Sequence, residues 1–370
     1  MRRLTVVQLL PALESGGVER STLEIAAALV AAGHRAIVVS AGGRLVPALE
    51  ACGAEHVTLA IGRKSPAALR RVPALRRLFR DSGADIVHAR SRLPAWLGRM
   101  ALAGLPVTRR PRWVTTVHGL NSPGRYSAVM ASGERVVCVS RTVRDYVLRH
   151  YPATDPSRLR VIERGIDPAQ FPPLPHPDPA ARAEAAAGYP ALADAAPLLL
   201  LPGRGTRLKG HADALHLLAA LRSAGHPRAK LWLPGAREAG REAYIAELEA
   251  LAAQLGVAEA ALFTPPTARI ASAYAASDLV LQLSRKPEAF GRTVLEALSC
   301  GRPVLGWAHG GVGELLLQLQ PAGAVPPFDA DALATTAARL LRDPPPPVAI
   351  PYTLQAMQQA TLDLYAELAG

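Results

Sequence analysis

Cysteine is nearly absent from this sequence: Cys52, Cys138 and Cys300 stand far apart, with no CxxC and no Cys/His ligand spacing. That excludes a disulfide framework and a structural zinc site, and it makes a reducing cytosol the expected compartment. Long apolar runs are missing as well. Nowhere do 18 apolar residues follow one another, so no segment reads as a membrane span. The apolar start Leu4–Leu10 is interrupted by Gln8 and followed by Glu14-Ser15-Gly16-Gly17, without a small-residue cleavage site. It reads as a buried first strand, not as a signal peptide. No repeat of fixed period occurs, and the 33 prolines and 30 glycines punctuate short elements without forming a low-complexity tract. Aromatics make up only 5% of the chain. Those of the first half, such as Phe79, Trp96, Trp113 and Tyr126, are not interleaved with the arginines as a base-stacking platform requires, which argues against a nucleic-acid partner.

What is present suits two ordinary globular domains. The chain has 370 residues, 49% of them hydrophobic, enough for two cores. Positive charge is lopsided: residues 1–180 hold 26 Lys/Arg against 13 Asp/Glu, whereas residues 181–370 hold 16 against 17. Almost all of the first half's cations are arginines, whose planar fork matches phosphate oxygens. An anionic surface or acceptor is therefore expected for that half. A preference for arginine over lysine explains the residue choice but not the asymmetry.

Short β-branched runs alternate with helical stretches, the pattern of parallel sheets flanked by helices. Strands are expected near Leu4–Leu10, Ala36–Ser40, Asp85–His88, Trp113–Val117, Val136–Ser140 and Leu159–Ile162. A second series follows near Leu198–Leu201, Lys230–Leu233, Ala261–Phe263, Leu279–Leu283 and Pro303–Gly306. The Pro/Ala-rich segment 171–197 reads as a linker. An α/β chain with two Rossmann-like domains places ligands at the carboxyl ends of its strands, in the cleft the domains face.

Four segments carry chemistry. In Glu288-Ala289-Phe290-Gly291-Arg292-Thr293-Val294-Leu295-Glu296, which follows an apolar strand, one carboxylate lies in a loop and the next inside a helix. The helix N-terminus between them, around Phe290–Thr293, suits phosphate charge, and each carboxylate can accept from sugar hydroxyls. Two glutamates on a surface helix have the same spacing, so spacing alone leaves this open. In Pro202-Gly203-Arg204-Gly205-Thr206-Arg207-Leu208-Lys209-Gly210, a strand delivers Arg204 and Lys209 into a glycine-rich turn, where two cations can neutralise a diphosphate leaving group. It is not a P-loop, because His211-Ala212 follows the last glycine, and it is not a dinucleotide fingerprint, because Leu208 stands at the third glycine. Ser15-Gly16-Gly17 after the first strand lets backbone approach an anion, though a plain turn uses paired glycines too. His118, in Thr116-Val117-His118-Gly119 at a strand's end, can face a ligand or be a structural hydrogen-bonder, and His88 carries the same ambiguity. Gly301–Gly306 and Gly310-Gly311-Val312-Gly313-Glu314 add a strand ending in a glycine loop that opens a helix.

Together these segments resemble the family-4 glycosyltransferases, retaining enzymes of the GT-B fold. The likeness runs from Gly16-Gly17 through Arg164-Gly165-Ile166-Asp167 to Gly310–Glu314, and the block from Glu288 to Gly310–Glu314 is its most specific part. The resemblance implies a first domain over residues 1–172 for the acceptor, a second over 173–352 for a nucleotide-sugar donor, and a last helix over 353–370 packing back on the first. It implies that Glu288 holds the donor sugar and Glu296 the ribose, that Arg204 and Lys209 hold the diphosphate, and that Phe290, Gly291, Arg292 and Thr293 offer backbone donors. His118 matches the family's histidine near the reacting carbon, and Gly16 and Gly17 its glycine turn at the donor. No cofactor or metal is implied. Arg164 departs from the asparagine many relatives carry. His88-Ala89-Arg90-Ser91-Arg92 and Arg125–Met130 are similar to the branch that builds lipopolysaccharide cores, which implies a glycan or glycolipid acceptor. Rival readings are a nucleotide-sugar epimerase of the same fold and a nucleotide-binding module without turnover.

Two further segments invite function. Asp329-Ala330-Asp331 has the look of a metal-binding DxD but precedes a helical run, so capping is the expectation. Across Arg63–Arg80, Leu69, Val72, Leu75 and Phe79 recur at helical spacing, flanked by Arg70, Arg71, Arg76, Arg77 and Arg80. Such a basic amphipathic helix suits an anionic membrane surface, or a core-packed helix with a solvated arginine face.

Overall fold

The computed structural model describes residues 2–14, 16–63 and 65–370. They form two compact units, one of Met1–Gly165 with Leu354–Gly370 and the other of Ile166–Thr353.

The first unit is built on seven strands: β1 (Thr5–Leu9), β2 (Arg35–Ser40), β3 (Glu55–Thr58), β4 (Ile86–Ala89), β5 (Arg112–Val117), β6 (Arg135–Cys138) and β7 (Leu159–Val161). All pair in parallel, in the order β3-β2-β1-β4-β5-β6-β7. Helices cover both faces, so the central strands are largely apolar, with Val6, Val7 and Leu9 of β1 and Ile86 and Val87 of β4 fully buried beside the polar Gln8 and His88. The closing helix Leu354–Ala369 completes this core, with Met357, Leu364 and Tyr365 packed in the cluster that holds Ile25 and Leu29.

The second unit repeats the plan with β8 (Leu198–Leu200), β9 (Lys230–Pro234), β10 (Ala261–Thr264), β11 (Leu279–Gln282), β12 (Val304–Trp307) and β13 (Ala324–Val325), ordered β10-β9-β8-β11-β12-β13. In each unit the strand order reverses once, between β1 and β4 and between β8 and β11. Loops leaving the carboxyl ends of such a pair diverge and leave a ligand-sized crevice.

The structure corrects the sequence reading in several places. The division falls at Gly165/Ile166, not at 172/173. The expected linker 171–197 belongs to the second unit and contains the helix Pro179–Gly188. Asp178 caps that helix by accepting from the Ala181 amide at 2.9 Å, with Pro179 at its first turn. Arg182 then binds Asp278 at 2.8 Å and fixes the helix to the sheet. Strands β3 and β13 escaped notice, β3 because it is a half-exposed edge with polar residues and β13 because it has two residues. The stretch 66–81 is a 3-10 turn, Pro66–Arg71, followed by the helix Val72–Asp81. Val72, Leu75 and Phe79 are buried in the unit, so the fold consumes most of the apolar stripe and leaves Leu69 exposed. No helix of the described residues is long and apolar enough to cross a membrane.

Candidate active site

The second unit's reversal point collects the charged residues. β8 feeds the loop that ends in the 3-10 turn Arg207–Lys209, and β11 feeds the loop from Leu283 to Gly291. The two loops touch because Gly210 has no side chain: it sits at φ 76°, and a β-carbon there would lie 2.0 Å from the Leu283 carbonyl oxygen. That contact sets Lys209 beside Glu288, with Nζ donating to Oε1 at 2.6 Å. Gln282 Nε2 donates to the other carboxylate oxygen at 3.2 Å, and Ser284 Oγ donates to Oε1. His309 Nε2 donates to the Ser284 carbonyl at 2.8 Å, which pins the loop. Both side chains of the Lys209–Glu288 pair remain about a quarter to a third exposed (30% and 26%), so they can still meet a ligand.

The glycines at 310 and 311 serve the same loop. A β-carbon at Gly311 would lie 2.5 Å from Phe290 Cα, so only glycine lets the Glu288–Phe290 backbone pack on the start of the helix Gly310–Leu319. The Gly311 amide donates to the Glu288 carbonyl at 2.7 Å. Two motifs that looked separate in the sequence are one construction.

Phe290 is buried, Gly291 caps the helix Arg292–Ser299, and Thr293 lies in its first turn. Glu296 lies one turn further in and is 8% exposed. Its Oε2 accepts from the Tyr274 hydroxyl at 2.9 Å and its Oε1 from Arg292 Nε at 3.1 Å. Burial, with Glu296 alongside, holds the Tyr274 phenol well above its ordinary pKa, so it stays a donor to the carboxylate. A carboxylate is chemically suited to accept from the two hydroxyls of a diol. Arg204 is exposed at the end of β8, and among the described residues its guanidinium has no hydrogen bond or ion pair. A free cation, a lysine–glutamate pair, a helix N-terminus and a buried carboxylate thus line one edge of the unit. That set suits a ligand with a diphosphate at its centre and hydroxyls at both ends.

Several members of this set are legible only in the structure. Gln282 and Ser284 orient Glu288, and Tyr274 orients Glu296. The available sign was a glutamine closing an otherwise apolar strand. Arg302, just before β12, is fully buried and donates to the carbonyls of Tyr274, Ala275 and Leu174, so it is a structural tie. Asp329 Oδ1 accepts from the Ala332 amide at 2.9 Å and caps the helix Ala330–Arg342, as expected.

The remaining predicted residues lie in the first unit. Gly16 caps and Gly17 opens the helix Gly17–Ala31, both exposed, while Ser15 lies outside the described residues. His118 follows β5. Arg164 Nη2 donates to His118 Nδ1, which accounts for the departure at position 164. A guanidinium only donates, so Nδ1 is the acceptor and the neutral ring carries its proton on Nε2. Burial first, then Arg164 and Arg90, hold the His118 pKa well below its ordinary value. Nε2 is itself buried and unpartnered, which makes it a donor in wait and a poor general base. Below it a cavity of about 20 Å³ is lined by Ser21, His88, Arg90, Thr116 and Arg164, room for about one water molecule. His88 is resolved as structural: its two ring nitrogens meet the Tyr365 hydroxyl and Thr116 Oγ1, each at 2.6 Å.

Two Rossmann-like α/β units, each a parallel sheet with one reversal of strand order, define the class. The chain matches the family described as Glycosyltransferase Family 4 over residues 15–170 and that described as Glycosyl transferases group 1 over residues 189–355. Solved structures with the GT-B fold are similar throughout. A glycosyltransferase from Rickettsia africae superposes with a TM-score of 0.82 at 27% identity, covering 100% of this chain and 99% of that one. HepE of Anabaena, solved with UDP and glucose, gives a TM-score of 0.80 at 19% identity, covering 99% and 100%. Among curated proteins, the D-inositol 3-phosphate glycosyltransferase of Acidothermus cellulolyticus is 30% identical over 247 residues, 62% of this chain and 53% of that protein. The chain spans about half the length of the curated relatives it matches.

Proposed function

We propose that this protein is a retaining glycosyltransferase that moves a sugar from a nucleotide-sugar donor onto a hydroxyl of an anionic glycan or glycolipid, without a metal ion. The reading rests on one observation: Lys209 and Glu288 are paired at the reversal point, with Glu296 buried a short helix away. In it, Arg204, Lys209 and the helix N-terminus at Gly291–Thr293 take the charge that develops on the leaving diphosphate. Glu288, held by Gln282 and Ser284, accepts from hydroxyls of the transferred sugar, and Glu296 accepts from the ribose diol. His118 is assigned to the neighbourhood of the reacting sugar carbon, through its main chain or ring. The acceptor oxygen attacks the face the diphosphate leaves, and its proton departs on the released phosphate.

For the acceptor, the two segments similar to the lipopolysaccharide-core branch form one patch. Arg92 lies over the Tyr126 ring at 5.3 Å and donates to Ser127 Oγ at 3.3 Å, while Trp96 Nε1 donates to the Tyr126 carbonyl. Aromatic faces and guanidinium forks suit a phosphorylated sugar, which fits a lipopolysaccharide core and equally the phosphorylated acceptor named for the curated relatives. Contact with an anionic membrane rests on Arg70, Arg71 and Arg77 beside the exposed Leu69. Arg76 is turned inward toward the Ala101 carbonyl, and Arg80 pairs with Asp81. In this reading the cytoplasmic enzyme docks by charge, and low-salt flotation with anionic vesicles is weakened by reversing those three arginines.

The test is a panel of UDP-, GDP- and ADP-sugars, scored for slow hydrolysis and for transfer to phosphorylated glycan acceptors in the presence of EDTA. One donor is consumed with retention, and Glu288→Gln lowers turnover at least a hundredfold while the protein stays folded. An epimerase releases the epimer with no acceptor, a binding module consumes nothing, and unchanged turnover in Glu288→Gln removes the assigned role.

A further inference from the structure

A second pocket lies in the same unit, behind the donor loop. It occupies 190 Å³ between the helices His211–Ser223 and Ala330–Arg342, and Asp213, His216, Leu217, Trp307, Phe328 and Asp331 line it. Two of the residues lining it each carry a buried polar atom without a hydrogen-bond partner: Trp307, 1% exposed, at Nε1, and Asp213 at Oδ2. A buried indole N–H normally finds an acceptor, so an orphan of this kind calls for an explanation. The other Asp213 oxygen accepts from Arg285 Nη1 at 2.6 Å. At the rim stands Phe328, at φ 68° the one non-glycine residue of positive φ among those described. A bulky aromatic resists that conformation, yet its ring is half exposed (49%), with Arg285 Cζ 5.0 Å from its centroid and Trp307 and His309 at its other sides. The fold holds an aromatic ring over the opening against its backbone preference.

We infer that this pocket binds the ring of a neutral sugar, as a saccharide subsite separate from the donor's. The chemistry of the wall selects the class. An anion meets Asp213 and Asp331, and a cation leaves the Trp307 N–H without an acceptor. A hydroxyl both donates and accepts, so neighbouring hydroxyls of one ring satisfy Trp307 Nε1 and Asp213 Oδ2 together. The apolar wall of Leu217 and Leu333 and the Phe328 ring receive the C–H face. The pocket also communicates with the donor loop. Arg285, which pairs with Asp213, donates its amide to the Leu208 carbonyl at 2.8 Å, and His309, which touches Phe328, holds the Ser284 carbonyl.

The inference stands or falls apart from the donor assignment, and its reporter is the Trp307 indole N–H signal in a nitrogen-15 spectrum, identified by its loss in Trp307→Phe. Glucose, galactose and mannose are each titrated to millimolar concentration into the full chain. One of them moves the signal saturably, and Phe328→Gly weakens that binding at least tenfold. This variant relieves the backbone at φ 68°, and a urea melt beside the parent verifies its folding. Asp213→Asn weakens binding by a similar factor, and Glu288→Gln leaves it in place. The inference is overturned if none of the three sugars moves the signal, or if binding is unchanged in both Phe328→Gly and Asp213→Asn. It is equally overturned if Glu288→Gln abolishes the shift, since the sugar then sits in the donor site.

Discussion

Acid stability gives the sharpest physical test of the buried polar interior. Each unit holds one histidine that is almost completely inaccessible: His88 in the first (1% exposed) and His211 in the second (0%). Burial pushes both pKa values down from 6.5, His88 well below and His211 to about 4; neighbouring Arg90 adds to the effect on His88 and Lys209 to that on His211. Between pH 6.5 and the folded pKa, the unfolded chain takes up a proton that the folded unit refuses. Stability therefore rises with pH through this window and is lost as pH falls below 6.5. For His211, held at about 4 when folded, integration of the linkage relation gives a loss of about 2 kcal/mol between pH 7.5 and pH 5. In a unit of this size that is a midpoint shift of about 4–8 °C. His211→Phe fills much of the same volume beside Tyr244 and removes the proton site. Urea melts of parent and variant at the two pH values isolate the term: the loss between pH 7.5 and pH 5 shrinks by about 2 kcal/mol in the variant. An identical pH dependence in both proteins, or a His88 or His211 ring signal titrating above pH 6, refutes the reasoning.

Other consequences follow from single contacts. Gly311→Ala drives a methyl into the Phe290 backbone and displaces Glu288, costing about 1–3 kcal/mol of stability in urea and roughly tenfold or more in donor affinity by calorimetry. Arg302→Met leaves the carbonyls of Tyr274, Ala275 and Leu174 buried without a donor, so the second unit loses roughly 3–5 kcal/mol in a urea melt, with the first unit's transition unmoved. In Arg164→Met a neighbouring positive charge is gone and the His118 pKa rises toward its ordinary value, which a ring-proton titration reads directly.

The fold was legible because its cues are local and repeated. Leu198–Leu201 is a continuous apolar run and Leu279–Leu281 a shorter one, as buried parallel strands use, and the helix His211–Ser223 begins and ends where its periodicity does. What escaped had weak or competing local signals. β3 shows a half-solvated edge in place of an apolar run, and the Asp178-Pro179 cap was overlooked amid prolines. The site divides the same way. Lys209, Glu288 and Glu296 announce themselves as charges beside glycine turns, and the structure brings Lys209 and Glu288 into contact. Tyr274 is distant in sequence from Glu296, and only the fold shows that it serves that carboxylate. Arg164 was visible as a departure, but its meaning lay in a histidine 46 positions earlier. For the basic stretch 63–80 the sequence left two readings open, because periodicity marks an apolar face without saying whether protein or lipid covers it.

The central claim is that the second unit grips a nucleoside diphosphate by its charge and by the diol of its ribose. Calorimetric titration of UDP, GDP and ADP, alongside the matching nucleosides, into the parent, Lys209→Met and Glu296→Gln measures this directly. One diphosphate binds the parent; Glu296→Gln weakens it roughly 10- to 100-fold, and Lys209→Met weakens the diphosphate while leaving the nucleoside as it was. Equal affinity for all three proteins, or loss of nucleoside binding in Lys209→Met, contradicts the account.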